Sequence, residues 1–270
     1  MTIPFTKMHG AGNDFVVVDH REPFLPTTGR EALFARLCDR RRGIGADGVL
    51  LLESSIEYDF AMTYHNSDGG PADFCGNGAR CLARFALGHG LGHGGRVRFA
   101  TAVGPKWAEP RPGGLMAVGF GLVEPGERVR LEAAGRTFDG RFLITGVPHL
   151  VLPVTGLDTI PFDDWAPPLR SHGSLGSAGA NVDFVERCSD GRVAMRTWER
   201  GVEGETLACG SGAMACGLWA VLEAGASAPV TVRTAGGDDL TIEMEAVPGG
   251  YDVVLVGPAV TVFEGEWREP

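Results

Sequence analysis

"DFCGNGARCLARFAL" (residues 73–87) and "LACGSGAMACGLWAVLEAG" (207–225) are two versions of one design. In each, a cysteine precedes Gly-x-Gly and opens an apolar run. Cys75 and Cys209 stand 134 apart (209 − 75), and the same offset lays Gly76, Gly78 and Ala79 on Gly210, Gly212 and Ala213. Phe85-Ala86 falls on Trp219-Ala220. Upstream, Thr63-Tyr64 falls on Thr197-Trp198, which pairs His65-Asn66 with Glu199-Arg200. "GADGVLLLE" (45–53) falls on "GANVDFVER" (179–187), pairing Asp47 with Asn181, and "GNDFVVV" (12–18) falls on "GVPHLVL" (146–152). "FATAVG" (99–104) meets "VRTAGG" (232–237) at an offset of 133 (232 − 99). Several registers in one order indicate an internal duplication, and so long a period means two domains of one design rather than a solenoid.

Local patterns give the class. "DFVVVD", "HLVLPV", "DFAMTYH" and "RVAMRTW" read as strands, the last two alternating apolar and polar residues. "GREALFARLCDRR" (29–41) has helical spacing. The runs after Cys75 and Cys209 read as helices closed by glycine, and they are apolar nearly all round. The expectation is an α+β protein of two pseudo-symmetric domains, each a β-structure wrapped around a central helix. The Gly- and Pro-rich stretch 109–127 reads as the crossover. This sets the halves at 1–117 and 118–262, with a strand from about 263–270 completing the first.

Composition narrows the partners. A net charge of −10 over 270 residues argues against nucleic acid and anionic membrane as main partners, but not against a small anion in a local site. "MTIPFTKMHG" has no apolar signal core and no run reaches membrane-spanning length, which predicts a cytoplasmic protein with reduced thiols.

Alone, Cys75 reads equally as a core residue, a metal ligand, half of a disulfide, or a nucleophile or base. The spacings Cys75–Cys81 and Cys209–Cys216 argue against structural zinc. Six helical residues leave side chains on different faces, and seven separate them by about 10.5 Å. Core packing suits Cys38, Cys81, Cys188 and Cys216. It suits Cys75 and Cys209 poorly, because Gly-x-Gly at a helix start brings free backbone N–H groups close to something. Such a terminus carries about half a positive charge; it binds anions and lowers a thiol pKa. A Cys–His hydrolase needs one thiol of this kind, and a binding module needs none. Two equivalent thiols, facing one cleft between the halves, suit proton removal from one face of an α-carbon and delivery to the other. Two thiols so placed are also expected to close into a disulfide under oxidation. There is no GxxxxGK[ST], and "GAGNDF" precedes a strand, so no nucleotide motif competes.

The segments "KMHGAGNDFVVVD", "RGIGADG", "CGNGARC", "NVDFVE", "WERGVEGETLACGSGA" and "TAGGDDLTIE" resemble the signatures of the diaminopimelate epimerases, within the wider proline racemase-like superfamily. The resemblance runs from residue 5 to about 245. It implies a cofactor- and metal-independent enzyme of lysine and peptidoglycan synthesis, interconverting LL- and meso-diaminopimelate in an inter-domain cleft, as a homodimer. A racemase or epimerase of another amino acid is the alternative within the superfamily. The resemblance makes Cys75 and Cys209 the acid/base pair, and gives the backbone of Gly76-Asn77 and Gly210-Ser211 to the α-carboxylate. Asn13, Asn66, Asn181, Glu199 and Arg200 match substrate-binding positions, while His149 and Glu199 match positions that support catalysis. Independently, Arg200 suits a distal carboxylate and Glu199 an ammonium. Two positions depart from the family: Val147 stands where an Asn is common and Gly48 where a Gln is common, each removing a polar contact.

Overall fold

The computed structural model describes residues 1–269, and the chain forms two units. Met1–Gly119, joined by the chain from Val256 onward, makes the first, and Phe120–Leu255 makes the second. The return to the first unit thus comes earlier than the 263 read from the sequence.

In the first unit, β1 (Thr2–Gly10), β2 (Asn13–Asp19), α1 (Arg30–Cys38), β3 (Gly48–Glu53), β4 (Phe60–Asn66) and β5 (Pro71–Ala72) lead into α2 (Gly76–Gly88). β6 (Val97–Ala100) and β7 (Lys106–Arg111) follow, and β8 (Leu115–Val123) carries the chain out. The Gly- and Pro-rich crossover is therefore largely strand, because "LMAVGFGLV" supplies enough apolar residues to pair. The second unit runs through β9 (Glu127–Ala133), β10 (Arg136–Ile144), β11 (Pro148–Pro153), α3 (Phe162–Arg170), β12 (Asn181–Arg187), β13 (Val193–Glu199) and β14 (Gly204–Thr206). Then come α4 (Gly210–Glu223), β15 (Val230–Arg233), β16 (Asp239–Val247), β17 (Gly250–Pro258) and, back in the first unit, β18 (Val260–Arg268) against β1.

The units share one strand plan. β2 is parallel to β3, β3 antiparallel to β4, β4 parallel to β6 and β6 antiparallel to β7. β11, β12, β13, β15 and β16 repeat these four relations in order. Registers correct part of the sequence alignment. Phe60 pairs with Phe99 as Val193 pairs with Val232, an offset of 133 (193 − 60), so Ala61-Met62 matches Ala194-Met195. Asn66 rather than His65 is then the counterpart of Glu199, and Gly48 rather than Asp47 that of Asn181. Phe15 against Gly48 answers to His149 against Asn181, so β2 keeps 134 (149 − 15). Single-residue length differences in the connecting loops absorb the change.

Each central helix lies under its unit's strands, α2 against β1–β4, β6 and β7, and α4 against β10–β13, β15 and β16. A second helix covers the outer face. Leu33, Phe34 and Leu37 of α1 pack on Val16, Val18, Val49 and Leu51. Phe162, Ala166 and Leu169 of α3 pack on Leu150, Leu152, Val182 and Phe184. Alternation along β3 and β12 turns the intervening residues, Leu50 and Asp183, toward Gly78 of α2 and Gly212 of α4. Of the six thiols, Cys38, Cys81 and Cys216 are core residues; burial pushes Cys38 and Cys81 up to about 12 and Cys216 well above its ordinary value. Cys188 is not: it is half-buried in the turn after β12, where its N–H reaches the Arg192 carbonyl.

Candidate active site

Both cysteines cap the central helices. Cys75 is extended (φ −138°, ψ 118°), and its Sγ accepts the Gly78 N–H of α2 at 3.5 Å. Cys209 is extended (φ −110°, ψ 109°), and its Sγ accepts the Gly212 N–H of α4 at 3.4 Å. A thiol in the cap position leaves the other first-turn N–H groups, including those of Gly76-Asn77 and Gly210-Ser211, facing outward at the positive helix end.

Around Cys75 the donors and acceptors can be ordered from fixed partners. Asn13 Nδ2 donates to the Asp47 carboxylate at 2.7 Å, so its Oδ1 turns the other way. There it accepts Asn77 Nδ2 at 3.2 Å and the Cys75 thiol at 3.6 Å. Asn77 Oδ1 in turn accepts Nη2 of the fully buried Arg80 at 2.7 Å. Asp47 and Asp14 share Arg40, and Asp14 also pairs with buried Lys7 at 2.8 Å. Asn66 lies apart from this set, exposed at the end of β4, with its N–H on the Gly70 carbonyl.

Around Cys209 the ordering goes deeper. Asn181 Oδ1 accepts the backbone N–H of Arg200 at 2.7 Å, which directs Nδ2 onto His149 Nε2 at 3.2 Å. Nε2 is therefore the nitrogen with the lone pair, and the proton sits on Nδ1, which donates to Asp183 Oδ2 at 2.6 Å. Thr197 donates to the other Asp183 oxygen at 2.6 Å. His149 Nε2 also meets Ser211 Oγ at 2.9 Å, and that oxygen lies 3.4 Å from Cys209 Sγ. Burial pushes the Cys209 thiol well above its ordinary value and the carboxylates of Glu199 and Asp183 add to this, opposed by Ser211 and the Gly212 N–H. Arg200 is half-buried, and its guanidinium makes no hydrogen bond or ion pair among the described residues.

Sequence reading did not single out Asp183, Thr197 or Arg80. The available signals were an aspartate inside the apolar run "NVDFV" and an arginine inside an otherwise apolar helix. Of the two departures, Gly48 has a steric basis: a Cβ there would lie 2.5 Å from the His65 carbonyl oxygen and 2.6 Å from the Tyr64 ring. Val147 is exposed in the loop before β11. Among the described residues no cluster of His, Cys, Asp or Glu is arranged to hold a metal, and no helix is long and apolar enough to cross a membrane.

The duplicated α+β fold, two similar units each built around a central helix, defines a fold class whose solved structures match this chain over nearly its whole length. A Bacillus anthracis phenazine biosynthesis protein of the PhzF family superposes with a TM-score of 0.74 at 14% identity, covering 100% of both chains. A hydroxyproline epimerase from Agrobacterium vitis gives 0.68 at 18% identity, over 98% of this chain and 92% of that one. Sequence places the chain within the class. The diaminopimelate epimerase family profile matches residues 5–119 and 142–262. Diaminopimelate epimerase of Aquifex aeolicus is 39% identical over 98% of each chain, and that of Azoarcus sp. is 38% identical over 100% of each. The chain belongs to the diaminopimelate epimerase family, and is an isomerase.

Proposed function

We propose that this enzyme interconverts LL- and meso-diaminopimelate without a cofactor, Cys75 and Cys209 acting as the two bases. The observation that carries the reading is the pair of thiols, each capping the N-terminus of a buried helix in an otherwise repeated unit. One thiolate takes the α-proton from one face, and the other sulfur, as thiol, returns a proton to the opposite face. The roles exchange with the direction of reaction. The α-proton of an amino acid is weakly acidic, so the charge that builds on the carboxylate must be stabilised. First-turn N–H groups of Gly76-Asn77 and Gly210-Ser211 supply donors for it. Exclusion of water strengthens both the thiolate base and these hydrogen bonds. His149 and Glu199 support proton movement at the thiols. Asn13, Asn66, Asn181, Glu199 and Arg200 read the substrate, with the Arg200 guanidinium, which pairs with none of the described residues, the natural partner of the distal carboxylate. The reading includes a cytoplasmic homodimer that recognises a small amino acid.

The test is epimerisation of LL-diaminopimelate in deuterated water, with α-deuterium incorporation followed alongside. Cys75→Ala and Cys209→Ala are each expected to lose about 10²–10⁴-fold or more in rate. Near wild-type epimerisation by either variant sinks the two-base reading. Comparable turnover of amino acids lacking the distal amino-carboxylate end sinks the substrate assignment.

A further inference from the structure

The duplication contains its own control. Three positions lie side by side under the first turn of each central helix. In the first unit they are Phe15, Leu50 and Tyr64, with Leu50 against Gly78 and the Phe15 and Tyr64 rings in edge contact at 6.0 Å. By strand register their counterparts are His149, Asp183 and Thr197. One backbone plan thus accepts Phe, Leu and a half-buried Tyr in one unit and a hydrogen-bonded His–Asp–Thr set in the other, so the strand plan does not require a buried His–Asp pair. His149 and Asp183 are both fully buried. Burying such a pair costs several kcal/mol of desolvation per charged group, which its mutual attraction at best offsets. Something other than stability accounts for the set, and it ends on Cys209.

We propose that Asp183, His149 and Ser211 form a proton relay that takes the Cys209 proton and returns it. The Cys209 S–H bond breaks as its proton passes to Ser211 Oγ, and the Ser211 O–H proton passes to His149 Nε2. The products are a Cys209 thiolate, an unchanged serine and an imidazolium whose Nδ1–H stays on Asp183. Every link is in place: Sγ to Oγ 3.4 Å, Oγ to Nε2 2.9 Å, Nδ1 to Oδ2 2.6 Å. The Arg200 N–H orients the Asn181 amide so that its Nδ2 donates to Nε2 at rest, which puts the lone pair there; when the Ser211 proton arrives, that 3.2 Å hydrogen bond breaks and the new Nε2–H stays on Ser211 Oγ. Asp183 and Ser211 are positioning and relay residues, and Cys209 remains the group that meets substrate. The groups that govern the Cys209 charge are His149 from β11, Asp183 from β12, Glu199 from β13, and Ser211 and Cys216 from its own helix. The relay rests on Cys209 being one of the two bases, but it can be read with no amino acid present.

The experiment is iodoacetamide alkylation of the whole protein near neutral pH, with each cysteine followed separately by peptide mass spectrometry. Asp183→Asn separates two physical effects of opposite sign. Deleting a nearby negative charge by itself favours the thiolate and speeds alkylation of Cys209. Losing the relay leaves the imidazolium unsupported and slows it by about tenfold or more. The expected result is slowing at Cys209 in Asp183→Asn and in Ser211→Ala, recovery in Ser211→Thr, and an unchanged rate at Cys75. Faster or unchanged alkylation of Cys209 in a folded Asp183→Asn overturns the relay. If that variant does not fold, Ser211→Ala decides, because Ser211 is half-buried on a helix that accepts alanine. Wild-type alkylation of Cys209 in Ser211→Ala overturns the relay equally. Failure here leaves the epimerase reading untouched, and failure of that reading leaves the alkylation result standing.

Discussion

Gly212 and Asp183 are in contact that no other residue at 212 permits: a Cβ at Gly212 would sit 2.5 Å from Asp183 Oδ1 and 3.0 Å from Met195 Cε. The carboxylate cannot yield easily, since His149 and Thr197 hold both its oxygens. Gly212→Ala is therefore expected to lower stability by about 1–3 kcal/mol despite the better helix propensity of alanine. Epimerisation should fall further than stability alone explains, because the displaced carboxylate no longer orients His149. Gly78→Ala is the control. The nearest atoms its Cβ would meet are the Leu50 side chain at 3.0 Å and the Cys75 Cβ at 3.5 Å, and the flexible leucine end can give, so the loss should stay within about 1 kcal/mol. Urea titration of both variants checks this; equal losses would remove the asymmetry.

The duplication, the α+β class and the family were legible because they rest on residues near one another in sequence. Cysteine, two glycines and an apolar run are visible in one glance along each helix. The set beneath Cys209 was not legible, because parallel and antiparallel pairing assembles it: β11 lies beside β12 and β12 beside β13. One constant offset also misaligned β3 and β4, which concealed that Leu50 and Asp183 hold the same place. α3 went unnoticed for a local reason. "PFDDWAPPLR" carries three prolines, yet Pro161 sits at the N-cap, and a buried Phe162, Ala166 and Leu169 anchor the helix.

Gly48 is a steric requirement. Restoring the Gln common in the family would drive a Cβ into the His65 carbonyl, which is fixed backbone of β4, and into the Tyr64 ring. Gly48→Gln is expected to destabilise the protein by about 1–3 kcal/mol. It should not improve KM for diaminopimelate. Thermal melting and steady-state kinetics on one preparation check both; an undiminished melting temperature with a lower KM would show that β4 yields.

Arg200 is held by its backbone while its guanidinium makes no hydrogen bond or ion pair among the described residues, the arrangement expected of a residue that takes an anion. Arg200→Gln is expected to weaken the substrate by about 1.5–3 kcal/mol, the range for a hydrogen bond to a charged group. The loss should fall on KM for diaminopimelate. Cys209 alkylation should keep its wild-type rate, because the Asn181 side chain accepts the backbone N–H of residue 200, which the substitution preserves. A KM unchanged within twofold would remove Arg200 from substrate recognition.

Asp14 is one of the carboxylates that make the first unit sensitive to acid. Burial on its own raises this carboxyl, but hydrogen bonds from Arg40 and Lys7 outweigh it and hold it at about 2, against an ordinary 3.8. Because the folded value lies below the unfolded one, the folded state binds the proton less readily. Its contribution is complete above about pH 4 and disappears as pH falls toward 2. Asp14 is 17% exposed but Arg40 is 57% exposed, so solvent screening leaves about 1–2 kcal/mol rather than the full value of the shift. Asp14→Asn is expected to lower stability by that amount at pH 7. Urea unfolding at steps from pH 7 to pH 2 should show the wild type and variant converging below about pH 4. A gap that persists unchanged at pH 2 would mean that Asp14 acts through packing alone and that its charge contributes nothing.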